Sequence, residues 1–216
     1  MMAHKDEPNA TTLALGVLSN LASCDVGAKE APESSGKAHH PRRSGESSLM
    51  VLGMEGAVKA ALDTMLDPFN GSNGATLVAA LDCLNNLMCS DFNLRILLAS
   101  DGVRTILAAL QDHDWDQDVV STAVNLLHQL MESNDTVPGR IFNLHGHRTL
   151  LCVMAAHPRR PDVLTSICHM FTDIVHDASI AGELYSEAVP SILASIETLY
   201  LSSDFEFDES GMEYAT

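Results

Sequence analysis

Aromatic residues are scarce in this sequence: one Trp, three Tyr and six Phe among 216 positions. The apolar fraction is still 46%, so a sizeable core is available, and it must be built from Leu, Val, Ile, Ala and Met. Those residues suit packed helices better than β-sandwiches. Basic residues are scarce too, 12 Lys and Arg against 29 Asp and Glu, for a net charge of −17. Such a surface repels phosphate backbones and argues against a nucleic-acid partner. It leaves two readings open, attraction of a basic partner or plain solubility.

No run of about 18 apolar residues is present, so no span crosses a membrane as a helix. The first ten residues are polar and lack the apolar centre of a secretory signal. The five cysteines (Cys24, Cys83, Cys89, Cys152, Cys168) form no zinc-finger spacing. Most fall at apolar positions, which reads as reduced, buried thiols in a cytoplasmic compartment, with a nuclear or ciliary one also open. The nucleophile elbow GxSxG, the phosphate loop GxxxxGK[ST], the metalloprotease HExxH and a Gly-rich dinucleotide turn are all missing. The expectation is a non-catalytic chain with no cofactor, no metal and no membrane partner.

What is present is a repeat. Four segments resemble one another: LALGVLSNLAS, VAALDCLNNLMCS, STAVNLLHQLMES and TSICHMFTDIVHD. Taking Asn20, Asn86, Gln129 and Asp173 as equivalent, the last three are 43 and 44 residues apart, and the first gap is 66. Leu18, Leu84, Leu127 and Phe171 share the next register position, two before the marker. One after it stand Leu21, Leu87, Leu130 and Ile174; five before it, Leu15, Leu81, Val124 and Cys168; six before it, Ala14, Ala80, Ala123 and Ile167. These offsets trace one continuous helical stripe.

A second landmark lies between these segments. Gly56, Gly102 and Gly146 each precede a short amphipathic stretch, and Ala188 precedes a fourth, VPSILASIETL. Gly in such a place ends one helix and lets the chain turn sharply into the next. Each unit thus reads as a short first helix, a Gly turn, a second helix, a polar loop and a long third helix. Third helices are expected over 10–24, 75–90, 117–133 and 161–177. Second helices are expected over 57–66, 103–111, 147–156 and 189–202, and short first helices over 48–54, 92–100, 138–145 and 179–186.

This pattern resembles the armadillo family. The pieces that carry the resemblance are SDGVRTILAAL, then the loop DHDWDQ, then VVSTAVNLLHQL, with VLSNL and CLNNL matching the family's Leu-x-Asn-Leu ending. HEAT repeats have a similar period but two helices per unit, and the short helix before each Gly favours armadillo. The resemblance implies an all-α fold over 10–202, a right-handed superhelix (an α-solenoid) of about four repeats. It also implies that the third helices line a concave groove in which Asn at the marker position bonds the backbone of an extended peptide. Asn20 and Asn86 match that residue. Gln129 offers the same chemistry, whereas Asp173, when ionised, only accepts. One turn earlier stand Gly16, Asp82, Asn125 and His169. The family's nuclear import receptors carry Trp there, and none occurs here.

The remaining face, Asp82 with Asn86, Asn125 with Gln129 and His169 with Asp173, reads either as a ladder for an extended, basic protein segment or as a solvated helix face. Protein-interaction scaffold is the leading expectation. A structural segment of a larger cytoskeletal or ciliary repeat protein, and an armadillo-type co-chaperone, are the alternatives.

Residues 27–48 are rich in Ser, Gly, Pro and charge, and read as a disordered insertion that accounts for the 66-residue gap. Residues 203–216 read as an acidic, flexible tail. The series opens on a third helix and closes on a second, so it reads as incomplete at both ends: a slice of a longer repeat array, or one whose ends a partner covers. His169, Asp173, His176 and Asp177 share a helix at spacings that can place His and Asp together, but an acidic, His-bearing helix shows this by coincidence. The lone Trp115 reads as a plug between repeats, with an anchor for a partner as the alternative.

Overall fold

A computed structural model describes residues 10–26, 44–175 and 178–202. Among these the chain is all-helical, with no strand. In chain order the helices are α1 (Ala10–Val26), α2 (Ser44–Met54), α3 (Ala57–Leu66), α4 (Gly74–Leu87), α5 (Asp91–Ala99) and α6 (Gly102–Asp112). They continue as α7 (Gln117–Ser133), α8 (Val137–Asn143), α9 (Gly146–Ala156), α10 (Pro161–Val175) and α11 (Ala178–Ser202). The expected third helices are thus α1, α4, α7 and α10. They pack in series, α1 on α4, α4 on α7 and α7 on α10. Three of them also lie against the second helix before them: α4 on α3, α7 on α6 and α10 on α9.

The apolar stripe explains this order. Cys83, Leu126 and Met170 are fully buried, as are Leu84 and Leu127, and Leu87, Leu130 and Ile174 one turn on. Each Leu-sized side chain so buried contributes about 1.5–3 kcal/mol, and a helix carrying three or four of them needs neighbours on two sides. The third helices start where polar residues cap them. Asn73 accepts the Thr76 N–H at 3.1 Å to open α4. Asp116, 43 positions on, accepts the N–H groups of Asp118 and Val119 at 3.1 and 3.3 Å to open α7.

Polar side chains link one unit to the next. His113 and His157 cap the C-termini of α6 and α9. The His113 Nε2–H donates to the Gly71 carbonyl at 2.9 Å, and His157 bonds the Asp114 carbonyl in the same way one unit later. Buried Asn93 donates from Nδ2 to the Leu49 carbonyl in α2 and the Leu87 carbonyl at the end of α4, at 2.9 and 3.0 Å. The missing side chain of Gly53 makes room for it: a Cβ there would overlap the Asn93 amide oxygen.

Four expectations are corrected. First, the left-handed residues at the turns are Gly56, Asp101 and His145, at φ of 91°, 57° and 57°. At the second and third turns the strained residue therefore precedes the glycine. Gly102 and Gly146 open the following helices, and their role is close approach. A Cβ on Gly102 would lie 2.6 Å from Leu97 Cγ, and one on Gly146 would lie 2.7 Å from Leu107 Cδ1. Second, the helices expected over 179–186 and 189–202 form one helix, α11, with Pro190 inside it. Ala188 stands where the other turns have glycine, and without a left-handed residue the backbone continues helical. Third, Trp115 plugs nothing: it is 70% exposed, with its ring 5.8 Å from that of His113. Fourth, Ser44 to Ser48, read as the end of the insertion, form the start of α2. Residues 27–43 and 203–216 lie outside the described residues.

The separation of roles at the third turn is testable by thermal or urea unfolding. His145→Gly relieves a left-handed side chain and raises stability by about 0.5–1 kcal/mol. Gly146→Ala drives a methyl group into Leu107 and lowers stability by about 1–3 kcal/mol. If the glycine served the turn itself, His145→Gly would bring no gain.

Candidate functional site: a polar face on the third helices

The residues singled out from the sequence occupy one position per turn on α1, α4, α7 and α10, and the serial packing of those helices sets them side by side. Asn20, Asp82, Asn125, Gln129 and His169 are exposed, and Asn86 and Asp173 are half-buried. Two of the seven are engaged across helices. Asn86 on α4 donates from Nδ2 to the Ser19 hydroxyl at 2.8 Å and to the Ser19 carbonyl on α1 at 3.3 Å. The His169 ring on α10 stacks on that of His128 on α7, with centroids 5.7 Å apart and planes 19° from parallel. Both contacts use the position just before the marker in the preceding unit, Ser19 in one case and His128 in the other. That position is 100° round the helix from the marker, so the sequence reading placed it off the working face. In the folded chain it lies on the seam between neighbouring third helices.

The face ends in a cleft of about 730 Å³ where α7, α8 and α10 meet. Glu132, Asp135 and Asp173 line it beside the two stacked histidines, with Met131 and Ile174 below, and no Lys or Arg contributes. Glu132 Oε1 lies 3.8 Å from His128 Nε2, a pair that attracts only when the ring is protonated. Of the cleft residues, the sequence reading named His169 and Asp173 and missed His128, Glu132 and Asp135. The visible signal was the run HQLMESND, in which His128 and Glu132 are four apart and so share a helix face. The placement of Asp135, beyond the end of α7, depends on the turn. The cleft offers acceptors and negative charge to a cationic donor such as an ammonium or guanidinium group.

Midway along the face, Asp82 is exposed as a residue but its carboxyl is partly shielded from water, and this desolvation raises it above its ordinary 3.8. Burial, reinforced by the Asp82 charge, pushes the neighbouring Cys83 thiol up to about 11. Cys168 is also raised by burial, whereas Cys89 and Cys152 are exposed. The expectation that most thiols are buried therefore fails for two of the four described; the Cys24 side chain lies outside the described residues. At the start of α10, Arg160 grips Asp162 at 2.7 Å and holds its carboxyl down to about 2. Among the described residues no group of three or more His, Cys, Asp or Glu is disposed to hold a metal ion, and no helix is long and apolar enough to cross a membrane. His176 and Asp177, named beside His169 and Asp173, lie outside the described residues. No protein-family model, no curated protein and no solved structure matches the chain.

Two outcomes check this electrostatic picture. Iodoacetamide at pH 8, read by peptide mass spectrometry, labels Cys89 and Cys152 in the native protein. Cys83 is labelled only after denaturation, because in the native protein its raised thiol is almost wholly protonated at pH 8 and is sealed in the core. Separately, the depressed Asp162 carboxyl stabilises the fold above its unfolded value of 3.8, and that contribution is lost as pH falls towards 2. Both side chains are partly solvated, so the loss is below about 1 kcal/mol. Acid titration of Asp162→Asn should show a shallower fall in stability over that window than the parent.

Proposed function

We propose that this chain is a non-catalytic protein-interaction scaffold of the armadillo type, a right-handed α-solenoid whose third helices form a concave groove for an extended, basic segment of a partner protein. The observation that carries the reading is the row of polar side chains on consecutive third helices, from Asn20 through Asp82, Asn125 and Gln129, ending in the cleft of Glu132, Asp135 and Asp173. An extended peptide presents a backbone donor or acceptor every ~3.3 Å, and exposed amides meet that demand without reading sequence. The carboxylates supply preference for Lys or Arg, because a cation held there meets three acceptors and no competing positive side chain. The chain's net charge of −17 adds a long-range pull on basic segments, one that added salt weakens.

A second reading, a structural segment of a larger cytoskeletal or ciliary repeat assembly, draws on a different observation: α1 presents Leu13, Val17 and Leu21 to solvent along one side. The two readings predict different partners, an extended peptide in the groove or a folded unit at the edge.

Selection from a display library of random 12-residue peptides tests the first. Enrichment of Lys- and Arg-bearing sequences is the expected result. The double charge reversal Asp82→Lys with Asp173→Lys should weaken the selected peptides at least about tenfold by fluorescence anisotropy, as loss of two charge-assisted contacts implies. Binding should also fall off with acid sooner than an unperturbed aspartate would dictate, since Asp82 is raised by burial and takes up its proton early. Asp82→Asn removes that early part of the fall. Undiminished binding by the doubly reversed protein would sink the groove reading.

A further inference from the structure

The only tryptophan of the chain is held out into solvent by a turn that is fixed from two sides. Trp115 follows α6, where the Asp116 N–H donates to the His113 carbonyl at 3.0 Å and closes a turn with Asp114 and Trp115 at its tip. His113 ties this turn back to the Gly71 carbonyl, in the loop between α3 and α4. His157, from the loop between α9 and α10, bonds the Asp114 carbonyl. Asp116 also caps α7 through one carboxylate oxygen, and its other oxygen fills the space where a side chain on Gly74 would stand. With all these ties in place, Trp115 is 70% exposed. To cover the indole, the turn would have to give up its bonds to both neighbouring loops.

The loop between α3 and α4 displays a second aromatic in the same manner. Asp67 Oδ1 accepts the N–H groups of Phe69 and Asn70 at 3.0 and 2.8 Å, and the Gly71 N–H donates to the Asp67 carbonyl at 2.7 Å. Phe69, inside this turn, is 78% exposed. The His113 bond to Gly71 and the closeness of Asp116 to Gly74 set the two loops side by side. Aromatics held out on a fixed backbone offer contact area with little left to order on binding. The charge of the two loops is of one sign. Asp67, Asp112, Asp114, Asp116 and Asp118 belong to them and to the helix ends that flank them, and neither 60–94 nor 105–139 contains Lys or Arg. The basic groups that approach come from the next unit. Arg160 reaches Gln117 and Ser121 and is paired with Asp162, and Arg148 shares with Asp114 the cleft between α6 and α9.

We propose that this pair of loops is a docking surface for an arginine-bearing segment of a partner protein, separate from the polar face of the third helices, with a guanidinium stacked on the Trp115 indole and hydrogen-bonded by the aspartates around it. A planar guanidinium lies flat on an indole and keeps its edge N–H groups for carboxylates. An ammonium ion is a strongly hydrated point charge and gains less from the ring. The loops therefore select arginine over lysine, whereas the cleft of Glu132, Asp135 and Asp173 accepts either cation. Phe69, one loop away, meets an apolar part of the same segment. Charge draws the segment in, and the indole supplies the discrimination.

Because Trp115 is the only tryptophan, its fluorescence reports on this surface alone. Capped hexa-arginine and hexa-lysine peptides at one ionic strength are the probes, and acrylamide quenching of the indole in the full chain is the first readout. Saturating hexa-arginine should protect the indole from acrylamide, and saturating hexa-lysine should protect it much less. Anisotropy of dye-labelled peptides gives the affinities. Trp115→Ala should weaken hexa-arginine binding about three- to tenfold, the loss of one cation–π contact, with little effect on hexa-lysine, and Trp115→Phe should recover part of the loss. The position is exposed, and circular dichroism confirms that both variants keep the helical fold. In the protein carrying Asp82→Lys with Asp173→Lys, saturating hexa-arginine should still protect the indole. Equal protection by the two peptides, or none by hexa-arginine, overturns the inference. So does loss of protection in the charge-reversed protein, since the peptide then reaches Trp115 only by way of the third-helix face.

Discussion

Everything in this fold depends on the burial of one apolar stripe on each long helix, a stripe too wide for any single neighbour to cover. In α7 the stripe runs through Ala123, Leu126, Leu127 and Leu130, all fully buried. α7 packs against α6 of the same unit, α4 of the unit before and α10 of the unit after. No unit covers its own stripe, so the units stack, and stability comes from contacts between neighbours in the series. The same constraint leaves α1 and α11 with open apolar edges.

Stacking at this density requires backbones to come close, and two devices allow it. Glycine at the start of α6 and α9 admits Leu97 and Leu107, side chains that a methyl group would displace. The cost of the sharp turn is then carried by the residue before, Asp101 or His145, held in a left-handed conformation that glycine would adopt more easily. Histidines at the ends of α6 and α9 reach back to carbonyls of the preceding loop. The polar connections are thus drawn into the same one-dimensional scheme as the core. Where the pattern lapses, at Ala188, the turn is lost and two expected helices run together as α11.

The polar face is less uniform than a ladder of equivalent positions suggests. Asn86 is committed in part to Ser19, and His169 is stacked on His128, so some of the polar side chains along this face tie neighbouring helices together. Negative charge is concentrated at one end, where the turn after α7 brings Asp135 beside Glu132 and Asp173.

The sequence by itself determined the helical class, the period of the units and the placement of the four third helices, because helix formation and the stripe at offsets −6, −5, −2 and +1 are local and repeat. The caps at Asn73 and Asp116 follow from the same local chemistry. Only the tertiary structure decided which glycines serve close approach rather than turning, since Leu97 and Leu107 exclude a side chain through space. It also decided that His128 belongs on the polar seam, because a side chain one step round the helix from the marker is brought into contact by the neighbouring helix and not by its own. The burial of Leu87 and the exposure of its equivalent Leu21 make the same point: identical residues at identical register positions differ only in whether another helix lies against them.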